Sequence, residues 1–270
     1  MALELAFESV GDGPPLLLLH GLFGSRRNWR SIARALSATH RVLSVDLRNH
    51  GASPWSGSMS YPEMAEDVRD LMRREKLDRA AVMGHSMGGK TAMTLALLHP
   101  EVVGQLIVAD IAPVRYADRL SVFARSMQSI DVASAAGRDD VGRRLSALVP
   151  EPGVVPFLLQ NLVMHDGHFD WRINLAAISA SMEALSGFPE ALRQRRFEEP
   201  VDVIAGGRSN YVTDPGGAEF RPMFPRARVE VIEGAGHWLH ADRQAAFLDC
   251  MKRALRVGSD SPPGPAAAAS

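Results

Sequence analysis

GHSMGGKT, residues 84–91, decides the fold, because it satisfies two motifs that demand different chemistry. Gly84 to Gly88 is Gly-x-Ser-x-Gly, the sharp strand-to-helix turn that exposes a serine nucleophile. Gly84 to Thr91 is Gly-x-x-x-x-Gly-Lys-Thr, a glycine loop whose backbone N–H groups cradle phosphates. Both need a strand before and a helix after. RAAVM (79–83) reads as a buried strand and TAMTLALLHP (91–100) as an apolar helix stopped at Pro100, so the flanks leave both readings open.

Segments further away separate them. LIVAD (106–110) suits the phosphate loop, as a hydrophobic strand ending in a Mg²⁺-binding aspartate, but that reading leaves HGLFG (20–24) and GAGHW (234–238) without a purpose. A serine nucleophile needs both. Attack on a carbonyl builds negative charge on its oxygen, which two backbone N–H groups stabilise: that of Met87, after the serine, and one from an early loop, most simply that of Leu22. A serine hydroxyl is also a poor nucleophile near neutral pH without a base. His237, in a glycine-bearing loop between the last strand and the last helix, supplies one. Four segments then share one explanation, against two for the phosphate loop.

Length and composition fit an ordinary globular chain. With 270 residues, 46% hydrophobic, 23% charged and a net charge of -1, it can bury one large core and has no electrostatic reason to seek nucleic acid or an anionic membrane. The single cysteine, Cys250, excludes an internal disulfide framework and fits a reducing compartment. No apolar run approaches a membrane span; LLLL (16–19) stops at His20. MALELAFESV has no basic residue and the first arginine is Arg26, so neither a secretory signal nor a basic transit peptide is expected, and the cytoplasm is the expected location.

Short apolar strands alternate with amphipathic helices, which predicts an α/β chain with a mostly parallel sheet covered on both faces. The expected strands are 3–9, 16–20, 41–46, 79–83, 106–110, 201–206 and 229–234. Trp29, Ile32, Ala33 and Leu36 fall at helical spacing, as do Met64, Val68, Leu71 and Met72, and the second run opens on a capping box at Ser60 to Glu63. A final helix is expected over 241–256, with Ala245, Leu248, Cys250 or Met251, and Leu255 inward. Residues 112–199 show no convincing strand and several helix-like runs, among them VPFLLQNLVM (155–164). They read as a helical cap inserted into a core made of 1–111 and 200–257, hanging over the carboxyl ends of the strands, where open α/β sheets bind ligands. The tail 258–270 carries no packing pattern and is expected to be disordered.

The histidine base needs a carboxylate to fix its tautomer and stabilise the imidazolium. In many α/β-hydrolases, which HGLFG, GHSMGG and GAGHW in this chain order resemble, it follows the strand before the last; here that strand runs into GGRSNYVTD (206–214), where Ser209 stands at the expected acidic position. Asp110 is the expected acid instead, because it ends the strand following the nucleophile helix on the same edge of the sheet. Asp214 is the runner-up, with a local turn or cap role before Pro215 as its alternative. Asp46, Arg48 and His50 in VDLRNHG are expected to organise their loop through local hydrogen bonds, with His50 a candidate for the entrance. His20 and His85 are expected to pack beside the site. The pairs His165/His168 and His237/His240 lack a second cluster at zinc-binding spacing, so neither a metal nor a cofactor is implied.

HGLFGS, VDLRNHGASP, SYPEMAEDV, GHSMGGKTAM, ADIAPV, NLVMHDGHFDWRINL and GAGHWLHADRQ together resemble the α/β-hydrolase esterases over nearly the whole chain except its tail. The likeness is greatest to the small bacterial acyl esterase and thioesterase branch related to the mitochondrial α/β-hydrolase domain-containing protein eleven. Nucleophile first and histidine last is that fold's chain order. The resemblance implies a triad of Ser86, Asp110 and His237 acting on short to medium acyl esters, or on acyl-CoA thioesters as the alternative. A phosphate-loop NTPase is the distant third reading. Phe23, Phe123, Met127, Met164, Trp171 and Trp238 are the expected apolar substrate contacts, and Arg26 and Arg27 either meet a coenzyme A phosphate or begin a solvated helix.

Overall fold

The computed structural model describes residues 2–149, 151 and 153–259. Strands β1 (Phe7–Val10), β2 (Pro15–Leu19), β3 (Arg41–Val45), β4 (Ala80–His85) and β5 (Val103–Ala109) alternate with helices α1 (Arg30–Leu36), α2 (Tyr61–Arg74) and α3 (Met87–Leu98). An insertion then carries α4 (Ser121–Gln128), α5 (Arg138–Ser146), α6 (Val154–Leu159), strands β6 (Leu162–His165) and β7 (His168–Trp171), and α7 (Leu175–Ser186). The chain returns through β8 (Val201–Gly206) and β9 (Ala227–Ile232) to α8 (Leu239–Asp242) and α9 (Gln244–Ser259).

Seven strands form one sheet in the order β1-β3-β2-β4-β5-β8-β9, parallel throughout except for β1, which pairs antiparallel with β3 at the edge. The leucines of β2 show why such a run need not alternate with polar residues. Leu17 and Leu19 join the core packed under α2 and α3, while Leu16 and Leu18 join the one shared with α1 and α9. Both faces of the strand are dry, and each buried side chain contributes about 1.5–3 kcal/mol.

The predicted helical faces are buried at Trp29, Ile32, Ala33 and Leu36 and at Met64, Val68, Leu71 and Met72. Ser60 caps α2 through its side chain, accepting the Glu63 N–H. In α9 the inward face is Phe247, Cys250, Met251, Ala254 and Leu255, with Leu248 partly buried beside them, whereas Ala245 is exposed. That helix runs through Ser259, two residues into the stretch expected to be disordered; residues 260–270 of that stretch lie outside the described residues. Among the described residues, no helix is long and apolar enough to cross a membrane.

The insertion is not wholly helical. VPFLLQNLVM, expected as one helix, ends at Leu159, and after Asn161 the chain enters an antiparallel hairpin pairing Leu162 with Trp171 and His165 with His168. Asp166 and Gly167 turn it with φ of 47° and 84°, the left-handed pair that a two-residue hairpin loop requires. Asn161 explains the break. It is buried, and its side-chain amide donates to the Phe23 carbonyl at 2.8 Å, a link from insertion to core that a continuing helix would turn away.

Candidate active site

β4 stops at His85, α3 starts at Met87, and Ser86 between them adopts φ 54°, ψ -118°. Such backbone costs a non-glycine residue about 1–3 kcal/mol and persists only where its surroundings enforce it. Two glycines enforce it here. A Cβ on Gly84 would lie 2.1 Å from the Gly88 carbonyl oxygen, and one on Gly88 would lie 2.5 Å from that of Leu19. Gly-x-Ser-x-Gly is therefore the composition that lets strand and helix meet this closely.

The same geometry overturns the phosphate-loop reading. Gly88, Gly89 and Lys90 sit inside α3, so no glycine loop is available to wrap a phosphate. Lys90 is 1% exposed, and its ammonium is bonded to backbone carbonyls of the insertion. Asp110, the supposed Mg²⁺ ligand, faces a histidine.

Asp110 leaves the end of β5 with φ 51° and is 0% exposed. Its Oδ2 lies 2.7 Å from Nδ1 of His237, and its Oδ1 accepts the Gly206 N–H at 2.9 Å. The Ser209 hydroxyl also donates to Oδ2. The residue that occupies the usual acid position thus supports a carboxylate supplied from one strand away. Asp214 is spent on its own turn, accepting the N–H groups of Gly216 and Ala218 at 2.7 and 2.9 Å, which hold its carboxyl below the ordinary range.

His237 is positioned from three sides. Asp110 accepts a hydrogen bond from Nδ1–H, leaving Nε2 as the nitrogen free to receive a proton. Tyr211 stacks on the imidazole at 4.1 Å between centroids and 28° between planes. The His85 Nε2–H donates to the His237 carbonyl at 2.8 Å. Burial and the neighbouring histidines hold His85 well below the ordinary histidine range, so it serves as a neutral donor. Ser86 and His237 line one cavity; among the described residues, the Ser86 hydroxyl has no hydrogen-bond partner. Uncomplexed hydrolases commonly close that bond only when substrate arrives.

The HGLFG loop is held by histidines as well. His20 Nε2 accepts the Leu47 N–H at 3.0 Å, and His50 Nε2 accepts the Phe23 N–H at 3.2 Å, with Phe23 at φ 62°. His50 is fully buried behind the loop and does not line the entrance. The VDLRNHG contacts also reach beyond their own loop: Arg48 makes a two-pronged pair with Asp67 of α2 at 2.7 and 2.9 Å, and Asp46 accepts the Arg26 N–H at 2.6 Å. Among the described residues, the N–H groups of Leu22 and Met87 donate to no protein acceptor, so both are free for an oxyanion.

Two cavities meet at Ser86. One, of about 570 Å³ including its mouth, runs past His237 and Trp238 to Phe23, Phe123 and Phe157. The other, of about 460 Å³, is bounded by Met87, Lys90, Tyr116, Met182 and Tyr211. Phe23, Phe123 and Trp238 therefore face the expected space. Met127, Met164 and Trp171 do not. Met127 is fully buried and its carbonyl accepts the Trp171 indole N–H at 3.1 Å, making both part of the packing between α4 and the hairpin. Met164 lies near the tip of the hairpin, two residues before its turn, and is 60% exposed. His85 packs beside the site as expected; Tyr211 and Asn161 were not singled out by sequence, and Ser209 carried a signal only as the non-acidic residue at the usual acid position.

A parallel sheet, a strained serine at its carboxyl edge and a buried carboxylate–histidine pair define the class, and the Alpha/beta hydrolase family matches residues 16–249. The chain belongs to that family. It is similar to sn-1-specific diacylglycerol lipase ABHD11 of Xenopus tropicalis, with 40% identity covering 90% of this chain and 78% of that protein. Esterase YbfF of Escherichia coli (strain K12) is 37% identical, over 90% of this chain and 94% of its own. A solved structure of a marine microorganism esterase aligns at TM-score 0.90 and 36% identity, covering 94% of this chain and 100% of that one. This is a hydrolase fold with esterase- and lipase-named relatives.

Proposed function

We infer that the chain is a serine esterase cleaving short- to medium-chain acyl esters through an acyl-enzyme on Ser86. The observation that carries this reading is the 2.7 Å contact between Asp110 and Nδ1 of His237, in a cavity that also holds Ser86. Nε2 of His237 takes the Ser86 hydroxyl proton as Oγ bonds to the acyl carbon, and the Leu22 and Met87 N–H groups receive the oxyanion. The ester C–O bond then breaks, and Nε2 returns the proton to the leaving alcohol. Water repeats the sequence: Nε2 takes its proton, hydroxide adds to the acyl carbon, the Oγ–C bond breaks, and Ser86 recovers its proton as the acid departs. Asp110 stays ionised, holding the Nδ1 proton in place.

The apolar lining by Phe23, Phe123, Phe157 and Trp238 supports an acyl ester rather than a charged substrate. Relatives named diacylglycerol lipase and esterase support ester over thioester. The test is covalent. A fluorophosphonate should add to Ser86, located by peptide mass, and Ser86→Ala should abolish turnover of 4-nitrophenyl butyrate and octanoate. Label on another residue, or turnover surviving in Ser86→Ala, refutes the reading. Acyl-CoA turnover above ester turnover assigns the site to thioesters instead.

A further inference from the structure

Lys90 is the residue of the opening motif to which the ester chemistry gives no task. It is one of three lysines in the chain, placed in an apolar helix. Stripping an ammonium of water is so costly that lysine is almost never fully buried unless paired. Among the described residues, no carboxylate pairs with it. Three carbonyl oxygens receive its three N–H bonds: Val114 at 2.8 Å, Ser186 at 3.2 Å and Gly187 at 2.5 Å. The rings of Tyr116 and Tyr61 stand 4.9 and 5.7 Å from Nζ. Burial draws Lys90 down to about 7, helped by Arg115, the nearby cation, while the carbonyls and ring faces favour the charged form.

The position of those carbonyls matters. Val114 lies where the chain leaves β5 for the insertion, and Ser186 and Gly187 lie where α7 ends on the way back. One side chain therefore grips both crossing points from the helix that begins at the residue after Ser86. The Tyr116 N–H donates to the same Ser186 carbonyl at 2.9 Å, so its amide reports on this junction. The insertion in turn supplies Phe123 and Phe157 to the cavity beside Ser86.

We propose that Lys90 is a positioning residue that latches both hinges of the inserted lid to the nucleophile helix and thereby fixes the lid over Ser86. The kinetic part of its test rests on the esterase reading; the exchange part does not. In the full chain with Lys90→Met, hydrogen exchange at the Tyr116 and Gly187 amides should accelerate about tenfold or more, with β2 and β4 amides unchanged. KM for 4-nitrophenyl octanoate should rise about threefold or more while kcat stays within about twofold. Labelling of Ser86 by a small methylphosphonate should keep its rate, because so small a reagent needs no lid. Wild-type protein that resists this reagent refutes the esterase reading alone, and the exchange data still decide the latch. Unchanged hinge exchange overturns the proposal, as does a rise shared equally by hinge and core. If Lys90→Met does not fold, Lys90→Gln, which keeps two N–H donors, carries the same measurements; failure of both to fold assigns Lys90 to global stability and overturns the latch.

Discussion

Replacing Asp110 by asparagine tests the site at the contact on which its chemistry turns. The buried carboxylate has three partners: the Gly206 N–H on Oδ1, and the Ser209 hydroxyl with the His237 Nδ1–H on Oδ2. An asparagine must keep its oxygen toward Gly206, because an amide N–H aimed at that backbone donor leaves two buried donors facing each other. Its NH₂ group then points at His237, where Nδ1 can only accept. The imidazole proton moves to Nε2, the nitrogen that has to receive the Ser86 proton, and the charge that would stabilise the imidazolium is gone. In a Ser-His-Asp protease the same exchange lowers kcat about 10⁴-fold with geometry intact. We expect a loss of about 10³- to 10⁴-fold here, about 4–5.5 kcal/mol, with KM changed by less than about threefold. The assay is steady-state hydrolysis of 4-nitrophenyl butyrate, with Asp214→Asn as the comparison. That exposed carboxylate serves only its own turn, so its variant should stay within about twofold of wild type. An Asp110→Asn variant with more than about a tenth of wild-type kcat, or a large loss in Asp214→Asn, would refute the assignment.

Ser209→Ala removes a hydroxyl donor from Oδ2 and should lower kcat about ten- to 150-fold without moving KM, as one lost hydrogen bond to a charged group, about 1.5–3 kcal/mol, implies; an unchanged kcat shows that Ser209 is dispensable to Asp110. Gly88→Ala drives a Cβ into the Leu19 and His20 carbonyls, at 2.5 and 2.6 Å, and should cost at least about 3 kcal/mol in urea unfolding. Gly57→Ala, with nothing within 4 Å, should change stability by less than about 1 kcal/mol, and equal effects at the two sites contradict the close-approach argument. Burial pushes His50 down to about 3, so it stays neutral in the fold while the unfolded chain takes up its proton near 6.5. Between those values the unfolded state binds more protons, and stability falls as pH drops, by roughly 3 kcal/mol at pH 4 from this residue alone. His50→Gln, which keeps an acceptor for the Phe23 N–H and does not titrate, should flatten that decline between pH 6.5 and 4; parallel curves for the two proteins exclude His50 as a source.

Local sequence determined much of this protein. Apolar runs without alternation, such as Leu16 to Leu19, already imply a sheet covered on both faces, because a strand with one wet face would not retain them. Gly84, Ser86 and Gly88 likewise announce their turn within five residues, although only the Gly84–Gly88 approach is local and the Leu19 carbonyl presses on Gly88 from another strand. The hairpin at 162–171 was equally local in origin, with Asp166-Gly167 as its signal, but a helix-like run ahead of it masked the change of period.

What tertiary structure alone decided are the contacts between residues far apart in the chain. Nothing near Asp110 announces that Ser209 and Gly206, about a hundred positions away, will hold its carboxylate, or that Tyr211 will stack on His237. Met127, Met164 and Trp171 look as suitable for a pocket as Phe123 does; only the facing of each element separates packing, solvent and cavity. Lys90 shows the difference most plainly. In sequence it completes a phosphate motif, whereas in the fold three carbonyls from the insertion reach it first, and the partners within bonding distance, rather than the residues on either side, set what a buried charge can do.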